Sequence, residues 1–124
     1  MAVSMATTLR NNRLDQITSF AGAGAKLRVY TAAYAAQLYE STCAATFAGA
    51  ASAGTLTANA IGNATATGAG TAAIARLYKS DGATMVMEGL TVGTSGTNVV
   101  ITNTTIAVND VITTSSLTIT EGNP

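Results

Sequence analysis

The sequence predicts a mainly β protein, an antiparallel β-sandwich or jelly roll of about eight strands with one short N-terminal helix. Three observations lead there. Only one segment, near the start, has helical periodicity. After it the chain breaks into short runs rich in Thr, Val, Ile and Tyr, bounded by Gly, Asn, Asp and Ser at intervals of roughly 8 to 12 residues. The single proline is Pro124, so no run is interrupted by a residue that cannot donate to a sheet.

Thr7 and Thr8 precede the helical segment, which runs from Leu9 to about Ala21. At about 100° per residue, Leu9, Leu14, Ile17, Phe20 and Ala21 fall on one side, and Asn11, Asn12, Asp15, Gln16, Thr18 and Ser19 on the other. The first set is the side expected to pack on a core. Gly22 and Gly24 end the helix, because glycine enters left-handed backbone conformations cheaply. Strands are then expected at Lys26–Ala32, Gln37–Cys43, Thr55–Ile61, Thr71–Lys79, Ala83–Leu90, Thr97–Thr102, Thr104–Val108 and Asp110–Thr120. Between the fourth and fifth, Ser80-Asp81-Gly82 supplies the Asp-Gly step of a tight hairpin. In the last, Val111, Thr113, Ser115, Leu117 and Ile119 alternate with polar residues and Ile112, as in a half-buried strand.

At 124 residues the chain is the length of one domain. It divides into an N-terminal arm with the helix (1–24) and a β body (25–124). Charged residues make up 10% of it, and six bases balance six acids. A phosphate-tracking basic surface is not expected, so nucleic acid is not an expected partner. Weak self-repulsion instead favours association. Residues 1–28 hold four bases and one acid, so the remainder carries the compensating negative charge. One end could then meet the other end of a neighbouring copy. No basic and apolar leader precedes the helix, and the apolar runs are short and mostly alanine, so neither a signal peptide nor a membrane span is expected.

Histidine is absent, which removes the commonest general base and transition-metal ligand. The acids Asp15, Glu40, Asp81, Glu88, Asp110 and Glu121 are scattered, with no catalytic pair or calcium-loop spacing among them. The glycine-rich pieces at 68–70 and 93–96 lack the lysine and helix of a phosphate loop and read as turns. The sequons at Asn63 and Asn103 read as chance matches. Cys43 has no intramolecular partner and reads as a small strand residue. These readings predict no enzyme, cofactor, metal site or small-molecule substrate. Tyr30, Tyr34, Tyr39 and Tyr78 could form an aromatic platform for a sugar or a partner, though strand tyrosines commonly pack half-buried.

The helix carries the sharper expectation. Arg10 and Arg13 project about 100° and 40° from Leu9, inside the apolar sector. They lie near the helix N-terminus, where the dipole disfavours cations. Their stems could snorkel over the domain's own core. Alternatively, Leu9, Arg10, Arg13, Leu14 and Ile17 form a partner interface that meets carboxylates.

Several stretches carry a family resemblance: Thr7-Thr8-Leu9-Arg10 leading a short helix, then Ala25-Lys26-Leu27-Arg28-Val29-Tyr30, the Ala-, Gly- and Thr-rich Phe47–Ile61, Met87–Gly96, and Ser116–Thr120. Over about Met5 to Gly122 the chain resembles the jelly-roll cement, or decoration, proteins of tailed bacteriophage capsids. It departs from them between Tyr30 and Gln37, where Thr31–Ala36 replaces a polar turn. The resemblance implies a non-catalytic structural virion protein, made in the bacterial host cytoplasm and located on the outer capsid surface. Its implied partners are the major capsid protein and a second copy of itself in a homodimer. A tail or fibre component and a carbohydrate-binding sandwich are the alternatives.

Overall fold

The computed structural model describes residues 6–120. The chain is mainly β, with one helix packed on a β-sandwich built from a large curled sheet. The helix, α1 (Thr7–Ala21), starts two residues earlier than expected, so Thr7 and Thr8 lie inside it and no side chain caps its start. At its end the Gly22 N–H donates to Thr18 O at 3.2 Å.

Eleven strands follow among the described residues, in place of the eight expected. They are β1 (Lys26–Tyr30), β2 (Gln37–Thr42), β3 (Thr55–Thr57), β4 (Ala64–Thr65), β5 (Gly70–Thr71), β6 (Ile74–Tyr78), β7 (Met85–Gly93), β8 (Val99–Ile101), β9 (Thr105–Ile106), β10 (Val111–Ile112) and β11 (Thr114–Thr120). Two expected strands are each split in two. Thr71–Lys79 becomes β5 and β6 because Ala72 and Ala73 hydrogen-bond to different neighbours, Thr104 and Tyr30. Asp110–Thr120 divides at Thr113 into β10 and β11, which pair with different strands. The run expected at Thr55–Ile61 stops at Thr57, and β4 was not expected.

Seven strands form the main sheet in the order β2-β1-β6-β7-β8-β11-β3. Two ribbons, β10-β4 and β5-β9, form ladders separate from it. The pairing departs from a purely antiparallel sheet at one place, where β7 and β8 run parallel with Val92 opposite Val99. The connection is only the turn around Gly93–Asn98, far shorter than the dozen or more residues of an ordinary parallel crossover. Asn98 holds it closed. Its Oδ1 accepts from Thr91 N and Thr91 Oγ1, each at 3.1 Å, and its Nδ2 donates to Thr118 O at 3.0 Å.

One apolar cluster runs from the helix to β11, and its largest fully buried side chains include Tyr39, Phe47, Leu14, Leu27, Leu38 and Leu56. In β1 and β6 alternate residues point into it, namely Leu27 and Val29, and Ala75 and Leu77. Their opposite faces bear Arg28, Tyr30, Arg76 and Tyr78. Chain 62–68 lies along the free edge of β2, with Thr67 N donating to Leu38 O at 2.9 Å. It lies so close that a Cβ at Gly68 would sit 2.6 Å from Gln37 O. A pairing edge that would otherwise invite another strand is covered there.

Candidate functional site

The orientation of α1 differs from the amphipathic reading. Asn11, Leu14, Asp15 and Ala21 face the body, so the helix is turned by roughly one residue, about 100°, from the expected side. Asp15 Oδ1 accepts from Ala51 N at 2.8 Å and Asn11 Oδ1 from Gly54 N at 2.9 Å. The loop between Phe47 and β3 has few strand partners, and these two polar side chains meet its backbone donors. Leaving such a donor buried and unpaired costs about 1–3 kcal/mol each. Half-exposing one leucine-sized side chain costs about 1 kcal/mol. The hydrogen bonds therefore set the rotation.

The consequence is an apolar outer face. Leu9 is 49% exposed and Phe20 50% exposed, and Arg13 is exposed between them on the same side. Lys79 Nζ, from the β6–β7 hairpin, lies 4.6 Å from the Phe20 ring centroid. Arg10 is half-buried, its Nη2 donating to Thr7 Oγ1 at 3.2 Å. Ile17 is half-buried against the core. Of the five residues expected at a partner interface, Leu9, Arg10, Arg13 and Ile17 lie on or beside this outer face. Leu14 lies within the protein's own core.

A second surface forms on the outer side of the sheet. Three of the four tyrosines gather there, whereas Tyr39 is buried on the core side. The Arg28 guanidinium stacks over Tyr78 at 4.4 Å, and that of Arg76 over Tyr34 at 3.8 Å and Tyr30 at 5.4 Å. Arg28 pairs with Glu40, and Arg76 with Glu88 at 3.3 Å. The hydrogen bond to Glu40 holds the Arg28 guanidinium above its ordinary pKa despite partial burial. Tyr34 arrives through the Thr31–Ala36 segment, where a 3-10 turn (Ala32–Tyr34) places Ala33 and Tyr34 at φ 57°. Such a conformation costs about 1–3 kcal/mol per non-glycine residue and persists only where its surroundings impose it. Here the Tyr34 hydroxyl accepts from Gly89 N at 2.7 Å.

Elsewhere the chemistry is sparse. A shallow cavity of about 190 Å³ is lined by Thr102, Asn103, Ile106, Asp110 and Val111. The Asp110 carboxylate is engaged in its own turn, accepting from Ala107 N at 2.9 Å. Among the described residues no three His, Cys, Asp or Glu side chains converge on a metal position, and no helix is long and apolar enough to cross a membrane. Burial pushes the Cys43 thiol up to about 11, with Lys26 opposing the shift. A thiol so protonated is a poor nucleophile.

The sequence left a tyrosine platform open and favoured half-buried packing; Tyr30 and Tyr78 are nearly buried, and the arginines stacked on the tyrosines were not foreseen. Arg28 and Arg76 are 48 positions apart and become neighbours only through the register of β1 with β6. No family model matches the chain, and no curated protein or solved structure is significantly similar to it.

Proposed function

We propose that this chain is a structural, non-catalytic protein of a bacteriophage head, a cement protein that binds the major capsid protein on the outer surface of the shell and stabilises it. The observation that carries this reading is the outward face of α1, where Leu9 and Phe20 stand half exposed on a helix fixed to the body by Asn11 and Asp15. Half-exposed apolar side chains on a rigid element suit docking, since little conformational entropy remains to be lost on contact. The sequence resemblance to cement proteins points to the same role. Many weak contacts repeated over one shell add up through effective concentration and mass action, so each face needs only modest affinity.

The test is co-sedimentation of the purified protein with expanded, undecorated phage shells. Saturable, stoichiometric binding that raises shell stability is the expected result. Replacing Arg10 and Arg13 together by glutamate, or Leu9 by aspartate, lowers occupancy at least tenfold if α1 is the docking element. Unchanged occupancy of both variants would remove α1 from the interface. Absence of wild-type binding, with a discrete trimer in isolation, would favour a tail or fibre component.

A further inference from the structure

On the outer face of the β2-β1-β6-β7 quartet, besides Lys26 at the start of β1, which donates to Thr42 Oγ1, one charged residue from each strand falls in a single row. Arg28 lies opposite Glu40 on β2 and opposite Arg76 on β6, and Arg76 reaches Glu88 on β7. Read across the strands the row is Glu40, Arg28, Arg76, Glu88, so its charges run minus, plus, plus, minus. That order is the same from either end.

Each end of the row is a neighbouring plus–minus pair, and such a pair can complement itself. Consider a second copy related by a two-fold axis lying along the strands, between β6 and β7. The rotation reverses the order across the strands, placing Glu88 of each copy over Arg76 of the other. Neighbouring strands are about 4.8 Å apart, so both pairs form within one strand spacing of the axis. An axis between β1 and β6 would instead set like charges against each other.

The two ends of the row are not equivalent. Arg28 is fully engaged, with Nε on Glu40 at 2.5 Å and Nη2 on the carbonyl of Gly82 at 2.9 Å. The Arg76–Glu88 pair is looser at 3.3 Å, and the Glu88 side chain is 52% exposed against 34% for Glu40. Around that pair stand Tyr34, the half-buried Ile74 and Met85, the last 39% exposed. Arginine, tyrosine and methionine are the side chains enriched at the centres of protein interfaces. Tyr34 is held in place by a strained backbone and a hydrogen bond, which preorganises the surface.

We propose that the β6–β7 side of this sheet is a two-fold self-association face, in which Arg76 and Glu88 of one copy pair with Glu88 and Arg76 of a second. It rests on the assembly role proposed above and names the self-contact that role would use. The face is separate from α1, so one copy can hold its mate and a capsid at once.

Sedimentation velocity on the isolated protein tests this without any capsid. The wild type is expected as a dimer. Arg76→Glu carries two acids at the pair and Glu88→Arg two bases, so each alone shifts to monomer, with association weakened at least tenfold. Mixed in equal amounts they form a heterodimer, because one presents only acids where the other presents only bases. Rescue on mixing also shows that both variants are folded. Single variants that dimerise like the wild type, a mixture that stays monomeric, or a monomeric wild type would each overturn the face. Shell binding is read separately. A dimer that never binds shells overturns the cement reading and leaves this contact standing, whereas a wild-type monomer that binds shells does the reverse.

Discussion

Asp81 organises the β6–β7 turn around its own carboxylate. Oδ1 accepts from Ala83 N at 2.8 Å and Thr84 N at 2.9 Å, and Oδ2 from Thr84 Oγ1 at 2.8 Å. The backbone hydrogen bond from Thr84 leads these in holding its pKa down to about 2. A carboxylate depressed in the folded state adds stability that is fully present above its unfolded pKa, about 3.9, and is lost as pH falls through the folded value. Acid titration of the thermal midpoint should show this loss between about pH 4 and 2, and Asp81→Asn should flatten that segment of the curve. Asn98 is the opposite case, since its three chain partners lie on β7 and β11. Asn98→Ala should destabilise by about 2–3 kcal/mol in urea unfolding, from several hydrogen bonds worth about 1 kcal/mol each. Burial pushes the Tyr39 phenol up to about 12, partly offset by the nearby Thr114 hydroxyl. Its oxygen makes no hydrogen bond of good geometry with the described residues. Tyr39→Phe should therefore change stability by under about 1 kcal/mol. The Asp81 turn was legible because every partner lies within three residues. The Asn98 knot was not, because its partners come together only in the folded sheet.

At the level of elements, the existence of α1 followed from its periodicity, but its rotation did not. Hydropathy ranked Leu9 and Phe20 as inward, yet Asn11 and Asp15 are the residues that supply acceptors to Gly54 N and Ala51 N in the loop ahead of β3. Asn11→Ala and Asp15→Ala should each lower stability by about 1–3 kcal/mol, read as the thermal midpoint, by leaving Gly54 N or Ala51 N unpaired. The expected strands were found largely in place, but their ends and bulges were not foreseeable. In β7 three residues span the interval that two span in β6, from Ala75 opposite Leu90 to Leu77 opposite Met87. The extra residue falls by Gly89, at φ 79°, and the bulge brings Glu88 against Arg76. Gly89→Ala forces a Cβ into that conformation at about 1–2 kcal/mol. It should also weaken self-association by displacing Glu88, measurable in the same sedimentation experiment.

For the whole molecule, the β-sandwich class with one helix was readable because strand and helix periods differ and the chain changes period once. The order of strands was not, since alternation says which face is buried and nothing about which neighbour lies alongside. The parallel β7–β8 pair in particular runs against the usual link between short connections and antiparallel neighbours. Three of the tyrosines were brought to one surface, and the expected docking residues on α1 were divided between surface and core. The strand order also dictates when the protein can fold. β3 joins the main sheet only through β11, with Leu56 opposite Ile119. Until translation passes β11, the loop that α1 clamps has no finished sheet to lie against. A nascent chain that already contains α1 to β8 must hold its apolar surfaces open on the ribosome, and sandwich closure waits on the synthesis of a single late strand.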